Sequence, residues 1–293
     1  MDYQFALLSW ILFLTAGIGL FVALVAWRRR DTPTAQYLIL MEAGVVVWAF
    51  TAAIEAAAST IPLKLLWSQI SYLGITSTIA SYFFLAIAYG QHSKYLTPRY
   101  ISLILIIPLL TIFAVATNNW HHSFYTDIFI KPENNIAIYE HGILFWIYTF
   151  YAYSLLVIGL VIIIRAILRF PAIYKSQSLI LIIGALFPFT GNVMYVFNLN
   201  PIPGVDWTPI AFGLSGLILT WGIFRYRLLD LIPIARHKLV ETMNDGVLVI
   251  DAQGRIADYN PAMQAITGIP TKQTLGQVAT QALAHWEELI DCL

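Results

Sequence analysis

Three imidazoles and a carboxylate stand at the two feet of one polar segment between long apolar runs. His121 and His122 follow Trp120 at its start, and Tyr139, Glu140 and His141 close it, with Trp146 just beyond. Asp206 ends a second polar segment, Asn198–Trp207, whose shape Pro201, Pro203 and Gly204 restrict. Imidazoles with carboxylates can hold a transition metal. The same groups can contact a small molecule in a pocket walled by Trp120, Tyr139 and Trp146, or they can simply cap and fasten the loop. Spacing speaks against the metal, because adjacent His121 and His122 cannot readily both turn inward. Imidazoles that titrate near pH ~6.5 also admit acid sensing. No serine nucleophile with a nearby base is evident, so a membrane hydrolase is disfavoured.

A second set of polar groups lies inside the apolar runs. Glu42 sits in the middle to inner third of the second run and Glu55 near its outer end. A central charge costs about 2.5–3.5 kcal/mol on insertion scales, so Glu42 is either a switch or ligand contact, or a neutral, hydrogen-bonded clamp between helices. Glu55 is close enough to the interface to be solvated. Asn192 and Tyr195 in the sixth run, and Trp67 and Gln69 in the third, can add polar contacts. The ligand-contact candidates are therefore Trp120, His121, His122, Tyr139, Glu140, His141, Trp146, Asn192, Asp206 and Glu42, with no catalytic residue, metal or cofactor assigned.

The elements that must position these groups are membrane helices. A bilayer core of about 30 Å needs roughly 20 apolar residues of helix. Such runs fall at 4–27, 34–57, 64–90, 99–117, 142–164, 177–198 and 208–224. Lipid offers no partner to a stray N–H or C=O, so each run must be helical. The chain is 59% hydrophobic and 11% charged, against roughly 25% charged for a soluble domain. The fold class is an all-α membrane protein, a seven-helix bundle with a small outer β-hairpin and a C-terminal partial α/β segment. Short connections make successive helices antiparallel neighbours. Phe187-Pro-Phe-Thr190 should loosen the sixth helix, and Ala49, Ala53, Gly213 and Gly216 allow close helix approach.

Zero net charge hides a segregation. With the N-terminus outside, the inner loops hold Arg28, Arg29, Arg30, Lys94, Arg99, Arg165, Arg169, Lys175, Arg225 and Arg227, and the outer loops only Lys64 and Lys131. That asymmetry puts the C-terminal tail in the cytoplasm. Asp2 precedes the first run and the arginines follow it, the reverse of a cleaved signal peptide. The single cysteine, Cys292, permits no disulfide framework within one chain. In the outer loop, Phe124–Ile130 and Ile136–Tyr139 flank Lys-Pro-Glu-Asn-Asn and read as a β-hairpin lid.

After the seventh run, Gly246-Val-Leu-Val-Ile, a turn at Asp251–Gly254 and Arg255-Ile-Ala-Asp-Tyr read as two strands joined by a turn. Asn260-Pro261 then caps and opens a helix. This order resembles the start of a PAS domain. The membrane part resembles the seven-helix N-terminal sensor region of bacterial and archaeal histidine kinases, through Asn118-Asn-Trp-His-His-Ser-Phe, Tyr139-Glu-His-Gly-x-x-Phe-Trp146, Gly191-Asn192-x-x-Tyr195, Pro201-x-Pro-Gly-x-Asp206-x-Thr-Pro209 and Phe224-Arg-Tyr-Arg-Leu-Leu-Asp230. The resemblance implies a receptor in the plasma (inner) membrane that passes an outside or in-membrane signal to a cytoplasmic kinase or response-regulator output.

The expected organisation is a sensor domain over 1–228, a signalling linker helix over 229–242 and a partial PAS domain over 243–293. A PAS domain needs about 40–50 further residues, so this one reads as incomplete. No phosphoacceptor helix or ATP-lid segment follows, and His237 and His285 stand in the wrong context, so the chain alone is not expected to be a kinase. Its expected partners are the bilayer, an unidentified small-molecule ligand and a second copy of itself, with no nucleic acid. The alternative is a small-solute transporter or channel, disfavoured by the lack of inverted halves and the scarcity of intramembrane charge. A retinal pigment needs a lysine in the seventh span, and Thr208–Phe224 has none.

Overall fold

A computed structural model describes residues 2–131, 135–169, 175–197, 199–200, 202, 204–226, 239–251, 253–268 and 276–283. Among the described residues, seven helices are long and apolar enough to cross a bilayer: α1 (Leu7–Trp27), α2 (Pro33–Ala57), α3 (Ile61–Tyr89), α4 (Pro98–Ala116), α6 (Ile143–Arg169), α7 (Lys175–Val196) and α8 (Thr208–Tyr226). Their starts follow local chemistry. Pro33 opens α2 where its missing N–H costs nothing, and the Thr32 side chain accepts the Ala35 amide. Residues before Leu7 are extended rather than helical, shortening the expected first span. Tyr3 bridges to Ala58, so this segment crosses the α2–α3 connection.

α3 is the most buried of the seven and packs against α2, α6 and α4, while α8 packs against α1 and α7. Its contact with α2 is backbone to backbone: a Cβ on Gly74 would lie 2.5 Å from the Gly44 carbonyl oxygen and from the Trp48 amide nitrogen. Small residues also bring α8 onto α1, with Gly213 against Thr15 and Gly216 against Val22. α4 stays peripheral and exposes Leu103, Leu109, Leu110 and Phe113, a face suited to lipid. Pro188 does not interrupt α7, which continues to Val196. Thr190 donates to the Leu186 carbonyl at 2.9 Å nearby.

Between α4 and α6 the chain forms a helical turn not expected from sequence, α5 (Asn118–His121), then strands β1 (Tyr125–Lys131) and β2 (Ile136–His141). They pair antiparallel, with Phe129 opposite Ile138, and a bulge between Tyr125 and Asp127 re-aims the first strand. Asn118 is the fastener. Its Oδ1 accepts the Phe124 and Tyr125 amides, both at 3.0 Å, and its Nδ2 donates to the Tyr125 carbonyl at 3.1 Å. Among the described residues, the hairpin is also anchored by Tyr125 to Ser68, by Tyr139 to Glu55, and by Asn135, whose Nδ2 donates to the Ala58 carbonyl at 3.0 Å.

Residues 1–229 and 230–293 form two compact units. Most of the expected linker helix lies outside the described residues, as do His237, His285 and Cys292. The second unit holds strands β3 (Leu248–Ile250) and β4 (Ile256–Tyr259), paired antiparallel, then a helix over Pro261–Thr267. Asp251 shapes the turn by accepting the Gln253 and Arg255 amides, and Gly254 takes a positive φ of 75°. Buried Asn260 caps the helix through the Met263 amide, accepts the Val247 amide, and donates to the Val240 and Asp245 carbonyls. Ile256, Tyr259, Met263, Ala279 and Leu283 make a small core.

Candidate functional site

Two adjoining cavities occupy the hairpin end of the bundle. One, with about 1000 Å³ of empty space, lies beneath the hairpin and is lined by Glu55, Lys64, Ser68, Tyr125, Asn135 and Tyr139, among others. The second, of about 850 Å³, lies between α3, α6, α7 and α8 and is mostly apolar, with Ile75, Phe145, Pro188, Phe189 and Phe212 in its wall. Trp48, Tyr72, Ile75, Tyr195 and Asp206 line both and form the waist between them.

The polar chamber gathers side chains from α1, α2, α3, α7 and both hairpin strands. Tyr139 on β2 donates its hydroxyl to Glu55 Oε1 at 2.9 Å. Lys64 on α3 is fully buried and donates from Nζ to the Glu55 backbone carbonyl at 2.9 Å, close enough for its charge to balance that carboxylate. Ser68 and Tyr125 share a hydrogen bond of 2.9 Å. Burial pushes the Tyr125 phenol up to about 12, and burial together with the Glu55 charge holds Tyr139 well above the usual phenol range. Both phenols are therefore neutral near pH 7.

At the waist, Asp206 precedes α8. Its Oδ1 accepts the Thr208 amide at 2.9 Å, placing the carboxylate at a helix N-terminus. Burial raises its pKa to about 6, and the bonds from Thr208 oppose that rise. A polar chain runs on from there: Asn192 donates to Thr208 Oγ1 at 3.4 Å and accepts the Tyr153 hydroxyl at 2.9 Å. It joins α6, α7 and the start of α8. The Tyr148 hydroxyl, buried on the wall of the apolar chamber, has no hydrogen-bond partner.

The candidates chosen from sequence divide sharply. Tyr139, Asn192 and Asp206 line the chambers. His141 stacks on Phe145 at 3.6 Å between ring centroids and meets Tyr195 edge-on. Burial lowers its pKa to about 4, so it is an uncharged ring near neutrality. The others are not brought to this site. Trp120 is 85% exposed and Glu140 is exposed. Trp146 is 44% exposed and only flanks His141. His121 caps: its Nδ1 accepts the Ser123 amide at 3.0 Å, and its Nε2 lies 3.1 Å from the Ala114 carbonyl oxygen. His122 ends α5 in a left-handed conformation and is exposed. Glu42 is buried against Gly19 in the α1–α2 packing, away from both chambers, and its Oε2 has no hydrogen-bond partner. Among the described residues no three His, Cys, Asp or Glu side chains are grouped to hold a metal.

Sequence reasoning passed over Glu55, Lys64, Ser68 and Tyr125. Glu55 reads as solvated because it ends a span, but the hairpin folds over it. A basic and an acidic residue on facing helix ends, Glu55 and Lys64, were the available signal.

Residues 11–233 match the family described as N-terminal 7TM region of histidine kinase. The chain belongs to this family. Residues 235–285 match the PAS fold, which agrees with the β3–β4 pair and the Asn260-capped helix. No curated protein matches the chain. It is thus a multi-pass membrane protein that joins a histidine-kinase 7TM region to a PAS region, a sensory signal-transduction module. Apart from Ala6 and Leu8, every residue lining the two chambers falls within the matched 7TM region.

Proposed function

We propose that this 7TM region detects a small molecule in the twin chamber at its hairpin end and relays occupancy to a histidine-kinase output through the PAS domain. The observation that carries the reading is the placement of Asp206 and Thr208. Asp206 lines the waist just before α8, and Thr208, which lines the apolar chamber, begins α8, the last span before the residues leading to the PAS region. A ligand that favours one arrangement of α7 and α8 shifts the population toward it, and 229–242 carries the change onward. The basic residues at the opposite helix ends support a chamber that opens outside, with 243–293 in the cytoplasm of a bacterial or archaeal cell. Two protomers paired in the membrane would let the relay alter kinase pairing. Domain limits of 1–228, 229–242 and 243–293 fit this scheme.

The test joins the chain in frame to a dimeric histidine-kinase core in lipid nanodiscs. Ala185 lines the apolar chamber, and Ala185→Phe fills it. Basal autophosphorylation should change severalfold in that variant, while insertion and dimer content stay constant. Unchanged autophosphorylation, or solute flux through liposomes carrying the chain, defeats the proposal.

A further inference from the structure

The charges lining the chambers do not balance. Among the described residues, Glu55, Lys64 and Asp206 are the only formally charged side chains in either wall. Lys64 is already committed to Glu55, by its bond to that residue's carbonyl and by attraction to its carboxylate. Asp206 is left as the surplus negative charge, opposed by the dipole of α8 and by hydrogen bonds from the Thr208 amide and hydroxyl, with no cation facing it among the described lining residues. Its Oδ1 accepts the Thr208 amide at 2.9 Å. Uncompensated charge at such depth is costly, so a site that keeps one is best completed by an opposite charge.

The surroundings of Asp206 select the kind of cation. Tyr72, Tyr195 and Trp48 share the waist with it, so π faces and phenol oxygens, rather than a ring of carboxylates, meet an incoming group. Aromatic walls favour an organic ammonium, which gains from the ring quadrupole and tolerates incomplete hydrogen bonding, over a metal ion that demands oxygen ligands. Beyond the waist the apolar chamber supplies hydrocarbon and aromatic contact, with the unpartnered Tyr148 hydroxyl as one polar point on its wall. We propose that the twin chamber takes a small organic cation, its ammonium at the waist against Asp206 and its apolar body between α3, α6, α7 and α8. This assignment rests on the sensory reading above and names the class of ligand for it.

The test measures binding to the chain in nanodiscs, against empty nanodiscs, of three probes of matched size: phenethylamine, phenethyl alcohol and hydrocinnamate. Phenethylamine should bind about tenfold or more tighter than the alcohol, with hydrocinnamate weakest. Asp206→Asn retains an acceptor for the Thr208 amide, so the fold is kept. It should erase the preference for the amine while leaving affinity for the alcohol unchanged. Ala185→Phe should weaken amine and alcohol alike. The proposal is overturned if the alcohol or the acid binds as tightly as the amine, if Asp206→Asn keeps the preference, or if no probe binds. The sensory reading fails separately, on the autophosphorylation assay. Alcohol binding that is lost in Ala185→Phe, without any amine preference, would remove the cation and leave the chamber as a ligand site.

Discussion

Asn118 should hold the hairpin over the polar chamber, and Asn118→Ala should release it. The side chain makes three bonds, two accepted at 3.0 Å and one donated at 3.1 Å, all in a buried setting. Alanine leaves the Phe124 and Tyr125 amides and the Tyr125 carbonyl without partners. Each orphaned group costs about 1–3 kcal/mol, and because the three act as one unit the sum is about 3–5 kcal/mol. That energy falls on the local opening of β1, whose Tyr125 also anchors to Ser68. Hydrogen exchange of the amides over 122–131 in nanodiscs should therefore quicken by roughly two to four orders of magnitude. Asn119 is exposed and serves as the control, with no change expected for Asn119→Ala. Wild-type protection in Asn118→Ala, or equal loss in both variants, would refute the assignment of Asn118 as fastener.

Other consequences follow from single contacts. Gly74→Ala should destabilise the bundle by about 2 kcal/mol in denaturant titration of mixed micelles, because backbone atoms 2.5 Å away cannot yield. Gly17→Ala, with open space around it, should be neutral or stabilising by up to about 1 kcal/mol through helix propensity. Asn260→Ala should lower the stability of the second unit by about 3 kcal/mol, read as lost protease resistance at 239–268, since a cap and three further bonds vanish. Two groups oppose each other in acid. His141, lowered from 6.5 to about 4, costs stability as pH falls through that window, because the unfolded chain takes up the proton first. Asp206, raised from 3.8 to about 6, adds stability as pH falls between those values, because the folded chain takes it up first. Asp206→Asn should therefore steepen the acid loss, and His141→Phe should flatten it, in melts followed from pH ~7 to ~4.

The spans were legible because lipid allows only one way to satisfy a backbone, so length and apolarity suffice. The hairpin was legible too, from β-branched and aromatic runs around a turn-rich break. The PAS opening was legible because the Asp251 turn and the Asn260 cap are local bonds between near neighbours in sequence. The chamber was not. Tyr139 meets Glu55 across 84 positions, and Ser68 meets Tyr125 across 57. No local pattern encodes those meetings. His121 misled for the opposite reason: its bonds to Ala114 and Ser123 are short-range capping, which spacing cannot tell from a ligand contact. The α5 turn and the left-handed His122 then point neighbouring groups away from the cavity.

For a signal to cross from the chambers to the output, the hairpin and the PAS region must face opposite sides of the membrane. Thr126 is exposed at the bulge of β1, and Cys292 is the only cysteine in the chain. Intact cells treated with a membrane-impermeant maleimide should label Thr126→Cys in a Cys292→Ser background, whereas the native Cys292 should label only after permeabilisation. Equal labelling of both positions in intact cells, or of neither until the membrane is opened, would contradict that placement.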